Sequence, residues 1–233
     1  MAEPRVGVLP RRRLRSVDGP RHDGPVSVDY TQLPADLKVP VDDGAADGLV
    51  GREVPDLALP ATMVPAGTIR RRATEGSVAA ERRLADLGAL LVAYVYPMTG
   101  TPGRPLPYGW DDIPGARGCT PQSCAYRDAL ADFERLGATV VGISAQTAAE
   151  QAEFAAREHI PFPLLSDDGL RLRAALGLPT FEAEGRTFYR RLTFVAEAGR
   201  IAKAFYPVFP PDRDAGEVIA WLRDRAADPK GTG

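Results

Sequence analysis

Cysteine, histidine and lysine are scarce in this chain of 233 residues, which holds two cysteines, two histidines and three lysines. Two cysteines do not make a disulfide-stapled secreted scaffold, so a reducing cytoplasm is the expected compartment. His22 and His159 stand isolated in the sequence, and two thiols without a second ligand pair fall short of a four-ligand zinc site. No metal and no cofactor is therefore expected. A dominant charge is missing too. The formal net charge of −2 gives no reason to expect nucleic acid or an anionic membrane as a partner. No apolar run approaches the roughly 20 residues that cross a bilayer. What is present is 44% hydrophobic content over a length that suits one full domain with extensions.

The two cysteines fall in one stretch, Gly118-Cys119-Thr120-Pro121-Gln122-Ser123-Cys124. Upstream, Leu90-Leu91-Val92-Ala93-Tyr94-Val95-Tyr96-Pro97 reads as a buried strand. Downstream, Tyr126, Leu130, Phe133 and Leu136 recur at the spacing of one helix face. Thr120 suits an N-cap and Pro121 the first helical position, where a missing N–H costs nothing. Cys119 is thus expected at the entrance of a helix that follows a core strand. Free backbone N–H groups and the positive end of the helix dipole favour a thiolate there. A pair of cysteines is ordinarily two inert core side chains. Here both lie in a polar, Gly/Pro-flanked segment, and that context favours chemistry. The five-residue spacing is not the C-x-x-C of a thioredoxin motif.

These residues resemble the active-site stretch of the peroxiredoxins, through Tyr96-Pro97, Gly118-Cys119-Thr120, Cys124 and Tyr126-Arg127-Asp128. The nearest type is the Q type, or bacterioferritin comigratory proteins, within the AhpC/TSA-like redoxins. Gly142-Ile143-Ser144, Pro161-Phe162-Pro163-Leu164-Leu165-Ser166-Asp167 and Arg191-Leu192-Thr193-Phe194 follow in register, so the resemblance spans about residues 49–226. It implies an α/β, thioredoxin-like fold with a central mixed sheet flanked by helices. It implies a thiol-dependent peroxidase: Cys119 attacks a hydroperoxide and becomes a sulfenic acid, and Cys124 condenses with it to an intramolecular disulfide. A thioredoxin-like or other dithiol protein then reduces that bond. The resemblance also assigns Arg191 to the reactive sulfur; strand alternation would turn Arg190 the other way.

One departure stands inside the motif. The family pattern Pro-x-x-x-Thr-x-x-Cys begins at Pro97 and Thr101, but Arg104 stands where cysteine is expected. The segment Arg104 to Gly118 precedes Cys119, and Ala116 occupies the position three residues ahead of it. The hydroxyl donor is then Thr101 across a closed loop, Thr120, or absent. Pro105, Pro107, Pro114, Gly109 and Gly115 favour ordered turns in that loop, and Trp110 and Ile113 are its candidate anchors.

The rest of the chain divides by composition. Residues 1–27, with Arg11-Arg12-Arg13 and no apolar core after them, read as a disordered tail and not as an export signal. Residues 28–48 form an acidic extension whose Leu33, Leu37, Val39 and Val41 are candidates to lie on the domain. The domain covers 49–226, opening with a hairpin near Leu49 to Pro60, and 227–233 is a flexible end. Arg70-Arg71-Arg72 and Arg82-Arg83 read as solvated charge. Ala79 to Gly88 reads as a short helix or turn, Ala138 to Ser144 as a strand, and Thr147 to His159 as a helix with a capping box. Asp168 to Gly177 reads as a helix, Phe188 to Val195 and Arg200 to Val208 as strands, and Asp214 to Ala226 as a closing helix. That order is thioredoxin-like. Two other functions use the same residues: a thiol–disulfide oxidoreductase acting on proteins, and a non-enzymatic redox sensor.

Overall fold

Leu90–Val95 is uncharged and buried on both faces beyond its first residue, the character of a central strand covered on both sides. The computed structural model describes residue 30, residues 32–62 and residues 78–227. The readings of 1–27, of the Arg70-Arg71-Arg72 cluster and of the last six residues lie outside them. The strands are β1 (Ala58–Thr62), β2 (Val78–Arg83), β3 (Leu90–Val95), β4 (Thr139–Ser144), β5 (Leu164–Ser166), β6 (Thr180–Ala183), β7 (Arg186–Tyr189), β8 (Leu192–Glu197) and β9 (Arg200–Phe205). The helices are α1 (Cys119–Asp128), α2 (Leu130–Arg135), α3 (Ala148–Arg157), α4 (Arg171–Leu176) and α5 (Asp214–Ala227).

Seven strands form one sheet in the order β2-β1-β5-β4-β3-β8-β9, and β6 pairs with β7 apart from it. The β3–β4 and β4–β5 pairs are parallel and the others antiparallel, so the sheet is mixed as expected. Alternation along β3 divides the core. Leu91, Ala93 and Val95 join one apolar cluster with Leu172 and Leu176 of α4. Val92 and Tyr94 join the other, with Tyr126, Phe133, Phe154 and Val218 from α1, α2, α3 and α5. The second face carries the cysteine-bearing helix. Tyr94 stacks on Tyr126 at 4.4 Å between ring centroids, and Tyr126 on Phe133 at 5.4 Å. Gly142 of β4 must lack a side chain, because a Cβ there would lie 2.6 Å from the Tyr94 hydroxyl oxygen.

Several boundaries differ from the sequence expectation. Ala79–Arg83 belongs to β2, because it completes the opening hairpin with β1, and only Leu84–Asp86 is a 3-10 turn. The apolar face from Tyr126 to Leu136 is split at Ala129 into α1 and α2, although Tyr126 and Phe133 still share one cluster. The expected strand from Phe188 to Val195 is two strands. Tyr189 ends β7, and Arg190 and Arg191 link it to β8. β6 had no separate reading; its partner β7 is the strand on which the inserted loop rests. Trp110 of that loop is buried and packs edge-on against Phe188, 5.0 Å between ring centroids. Leu33 and Leu37 lie half-buried on the domain, whereas Val39 and Val41 are exposed. Thr147 caps α3 with the reciprocal Glu150 contact its spacing predicts.

Candidate active site

The site begins where β3 stops. Just past it, Ser144 donates to the Pro97 carbonyl at 2.9 Å, and the Thr99 amide and hydroxyl donate to Gln146 Oε1 at 2.9 and 3.0 Å. These buried bonds hold the start of the segment that leads into the insertion. The chain returns through two glycines with positive φ, Gly115 and Gly118. Gly118 is the N-cap of α1, and its φ of 98° is a conformation that favours glycine. The helix therefore starts at Cys119, two residues earlier than a cap at Thr120 implies. Pro121 falls at the third helical position, where its missing N–H is still one of the four that have no partner in the helix.

Cys119 is 2% exposed and Arg191 is 3% exposed. Arg191 Nη2 donates to Cys119 Sγ at 3.1 Å. The same nitrogen lies 3.3, 3.3 and 2.9 Å from the carbonyl oxygens of Gly115, Ala116 and Arg117. Its other terminal nitrogen donates to Gln122 Oε1. Arg191 shares its parity with Thr193 and Val195, the residues of β8 that face α1, so alternation holds across the link. Arg190 is half-buried and reaches the Thr180 carbonyl instead.

Among the described residues Cys119 Sγ has hydrogen bonds only to Arg191 and, at 3.7 Å, to the Ala116 carbonyl. Neither the Thr101 nor the Thr120 hydroxyl bonds it. The insertion thus replaces the hydroxyl near the sulfur with backbone carbonyls fanned around a guanidinium. Cys124 lies further along α1, half-buried, and both thiols are free. Its Sγ donates to Glu158 Oε2 at 3.9 Å. Burial pushes the Cys124 thiol up from its ordinary value, with Glu158 adding to the rise and Arg127 opposing it. Arg157 holds the other oxygen of Glu158 at 2.5 Å, and Arg127 donates to the Glu158 carbonyl at 2.6 Å.

Two residues behind the site had no role in the sequence reading. Gln122 joins Arg191 to Asp214 Oδ2, which it reaches at 2.7 Å. Asp214 Oδ2 also accepts from Tyr126 at 2.9 Å and Thr193 at 2.7 Å, while Oδ1 has no partner among the described residues. Burial pushes this carboxyl up, opposed by those donors and by the charge of Arg191. Its sequence signal was an acid in the first turn of a helix, which usually reads as dipole complement. Gln122 carried a signal only as the residue one turn after Cys119. Two open clefts among the described residues, one lined by Leu170, Arg173 and Thr180 and another by Ala58, Arg82 and Asp86, include none of these residues.

The Redoxin family model matches residues 51–219. The chain is 33% identical over 170 residues to the chloroplastic peroxiredoxin Q of Oryza sativa subsp. japonica, covering 71% of this chain and 74% of that one. Peroxidoxin BcpB of Mycobacterium tuberculosis superposes with a TM-score of 0.56 at 28% identity, over 76% of this chain and 97% of its own. A PrxQ of Xylella fastidiosa, at 23% identity and a TM-score of 0.56, covers 76% of this chain and 96% of its own and shares the fold.

Proposed function

The chain belongs to the Redoxin family as a peroxiredoxin of the Q type, a thiol-dependent peroxidase, and from that premise we propose that Cys119 is its peroxide-reducing thiolate, Arg191 its electrophilic partner and Cys124 its resolving thiol. The observation that carries the assignment is the 3.1 Å contact between Arg191 Nη2 and Cys119 Sγ inside a buried site. The guanidinium sets a fixed positive charge and hydrogen-bond donors beside the reacting atoms. Arg191 Nε is buried and has no partner among the described residues, so it has a donor in hand for a hydroperoxide oxygen.

The thiolate attacks the terminal oxygen of the hydroperoxide, an S–O bond forms as the O–O bond breaks, and the departing alkoxide or hydroxide takes a proton. Cys119 is left as a sulfenic acid. Cys124 then gives up its proton and displaces the sulfenic hydroxyl, forming the disulfide and releasing water. Glu158, the carboxylate within reach of the Cys124 thiol, is placed to accept that proton. A dithiol protein completes the cycle by exchange and is itself oxidised to a disulfide. A chain with two cysteines suits a reducing compartment such as the cytoplasm; the plant relative is chloroplastic, and no helix among the described residues is long and apolar enough to cross a membrane.

Mass spectrometry after one equivalent of hydrogen peroxide tests the assignment. Cys119→Ser should consume no peroxide, and Cys124→Ser should accumulate a sulfenic acid on Cys119. Retained single-turnover activity in Cys119→Ser would reverse the roles.

A further inference from the structure

The acidic extension ahead of the domain crosses the rim of this site. Residues 32–46 contain neither helix nor strand, and the segment enters the core only at Ala46 and Leu49. Its earlier residues rest on the glycines that flank the insertion. A Cβ built on Gly118, the neighbour of Cys119, would lie 2.4 Å from Pro211 Cγ and 2.8 Å from Leu33 Cδ2. One on Gly100 would lie 2.3 Å from the Tyr30 ring, and one on Gly115 would lie 3.5 Å from Pro40. The absence of a side chain at Gly100 leaves the room that Tyr30 occupies and, at Gly118, the room that Leu33 shares with Pro211, while Pro40 lies at ordinary contact distance over Gly115. Tyr30 also donates to the Arg104 carbonyl at 2.8 Å, and the Arg117 guanidinium sits over its ring at 5.6 Å. The extension therefore ties together both ends of the insertion, Arg104 at one and Gly115 to Gly118 at the other. The second end supplies the carbonyls that hold Arg191.

The strap is held lightly. Tyr30 and Leu33 are half-buried, and Tyr30 contributes one hydrogen bond and one cation–π contact in partly solvated surroundings. Segments with few buried contacts open locally at far lower cost than the whole domain. Beneath it, Cys119 and Arg191 are almost completely enclosed. A two-oxygen peroxide needs little displacement of such a cover, whereas a hydroperoxide with an aromatic or branched group must move it aside. We propose that Tyr30 and Leu33 are specificity-determining residues of the peroxidase, forming a strap over Cys119 that admits hydrogen peroxide and small alkyl hydroperoxides and holds back bulky ones.

This rests on the reading of Cys119 as the peroxide-reducing residue, and the test separates the two. Second-order rates of sulfur oxidation are measured on the full chain with hydrogen peroxide and with cumene hydroperoxide. The proteins are wild type, Cys119→Ser, Leu33→Ala, the Tyr30→Ala/Leu33→Ala double variant and Pro40→Gly, which loosens the strap while leaving Tyr30 and Leu33 in place. The double variant should raise the cumene hydroperoxide rate at least tenfold while the hydrogen peroxide rate stays within threefold, and Pro40→Gly should shift the ratio in the same direction. A ratio unchanged in all three strap variants, with oxidation still lost in Cys119→Ser, overturns the strap and leaves the site assignment intact. Oxidation retained in Cys119→Ser overturns the site assignment and the strap with it.

Discussion

Oxidation should unwind the first turn of α1. Five residues of α-helix give a rise of about 7.5 Å and a rotation of about 140° at a radius of about 2.3 Å, which separates the two Cα atoms by about 8.7 Å. A disulfide needs about 4.4–6.8 Å. The helix runs unbroken from Cys119 to Asp128 with both thiols free, so the reduced fold and the bond exclude each other. The turn that must open also carries Gln122 and Ser123. Opening it breaks the Gln122 bonds to Asp214 and Arg191 and the Tyr94 bond to Ser123. At about 1 kcal/mol net for each hydrogen bond, these three oppose the disulfide by about 3 kcal/mol. For a two-electron couple that raises the reduction potential by about 60 mV over an unopposed bond. Because the opening turn lies at the Cys119 end, Cys124 can stay beside Glu158 while Cys119 moves. Hydrogen exchange followed by mass spectrometry reads the change directly. Amides from Cys119 to about Tyr126 should lose protection on oxidation, while those of β3 and β4 keep theirs. Equal protection in the two states, with the disulfide confirmed by mass, would refute the reasoning.

Asp214→Ala should lower stability by about 3 kcal/mol, since it strands three buried donors at about 1–3 kcal/mol each, and thermal unfolding should fall by about 6–12 °C. Because burial pushes the Asp214 carboxyl up from 3.8, the native state holds its proton more tightly than the unfolded chain. The stability this group contributes is present below 3.8 and is lost as pH rises through the folded value; Asp214→Asn should flatten that part of the profile in denaturant titrations. Glu158→Gln should leave the peroxide-consuming phase unchanged in stopped flow and slow the following disulfide phase about tenfold, below the roughly hundredfold of a well-placed general base because the contact is long. Equal disulfide rates in the two proteins would remove Glu158 from the mechanism.

The parts of this molecule legible in the sequence are those governed by local chemistry. Thr147 and Glu150 announced their helix because a capping box is a short-range exchange of hydrogen bonds. The pairing of a core strand with a following cysteine at a helix entrance was legible from the apolar run and the glycine before Cys119. Arg191 was legible through family resemblance and strand alternation, and its place in the link before β8 left its parity unchanged. The start of α1 was placed too late because proline fits any of the first helical positions whose N–H groups lack partners in the helix, so Pro121 marks a turn and not a residue. What remained hidden depends on contacts between distant segments. β6 and β7 support Trp110 from 70 or more residues further along the chain. Asp214 reaches Gln122 across 92 residues. The packing of Tyr30 on Gly100 and of Leu33 on Gly118 is a matter of shape, which no spacing rule records.

The most direct test of the central claim is the second-order rate at which the reduced protein consumes hydrogen peroxide, followed by stopped flow with wild type beside Arg191→Gln. A buried thiolate held by a guanidinium should react orders of magnitude faster than a free thiol, and loss of the 3.1 Å contact should remove about tenfold to a hundredfold of that rate, the equivalent of one charge-assisted hydrogen bond of about 1.5–3 kcal/mol. A wild-type rate no better than a free thiol's, or an Arg191→Gln rate equal to wild type, would contradict the account.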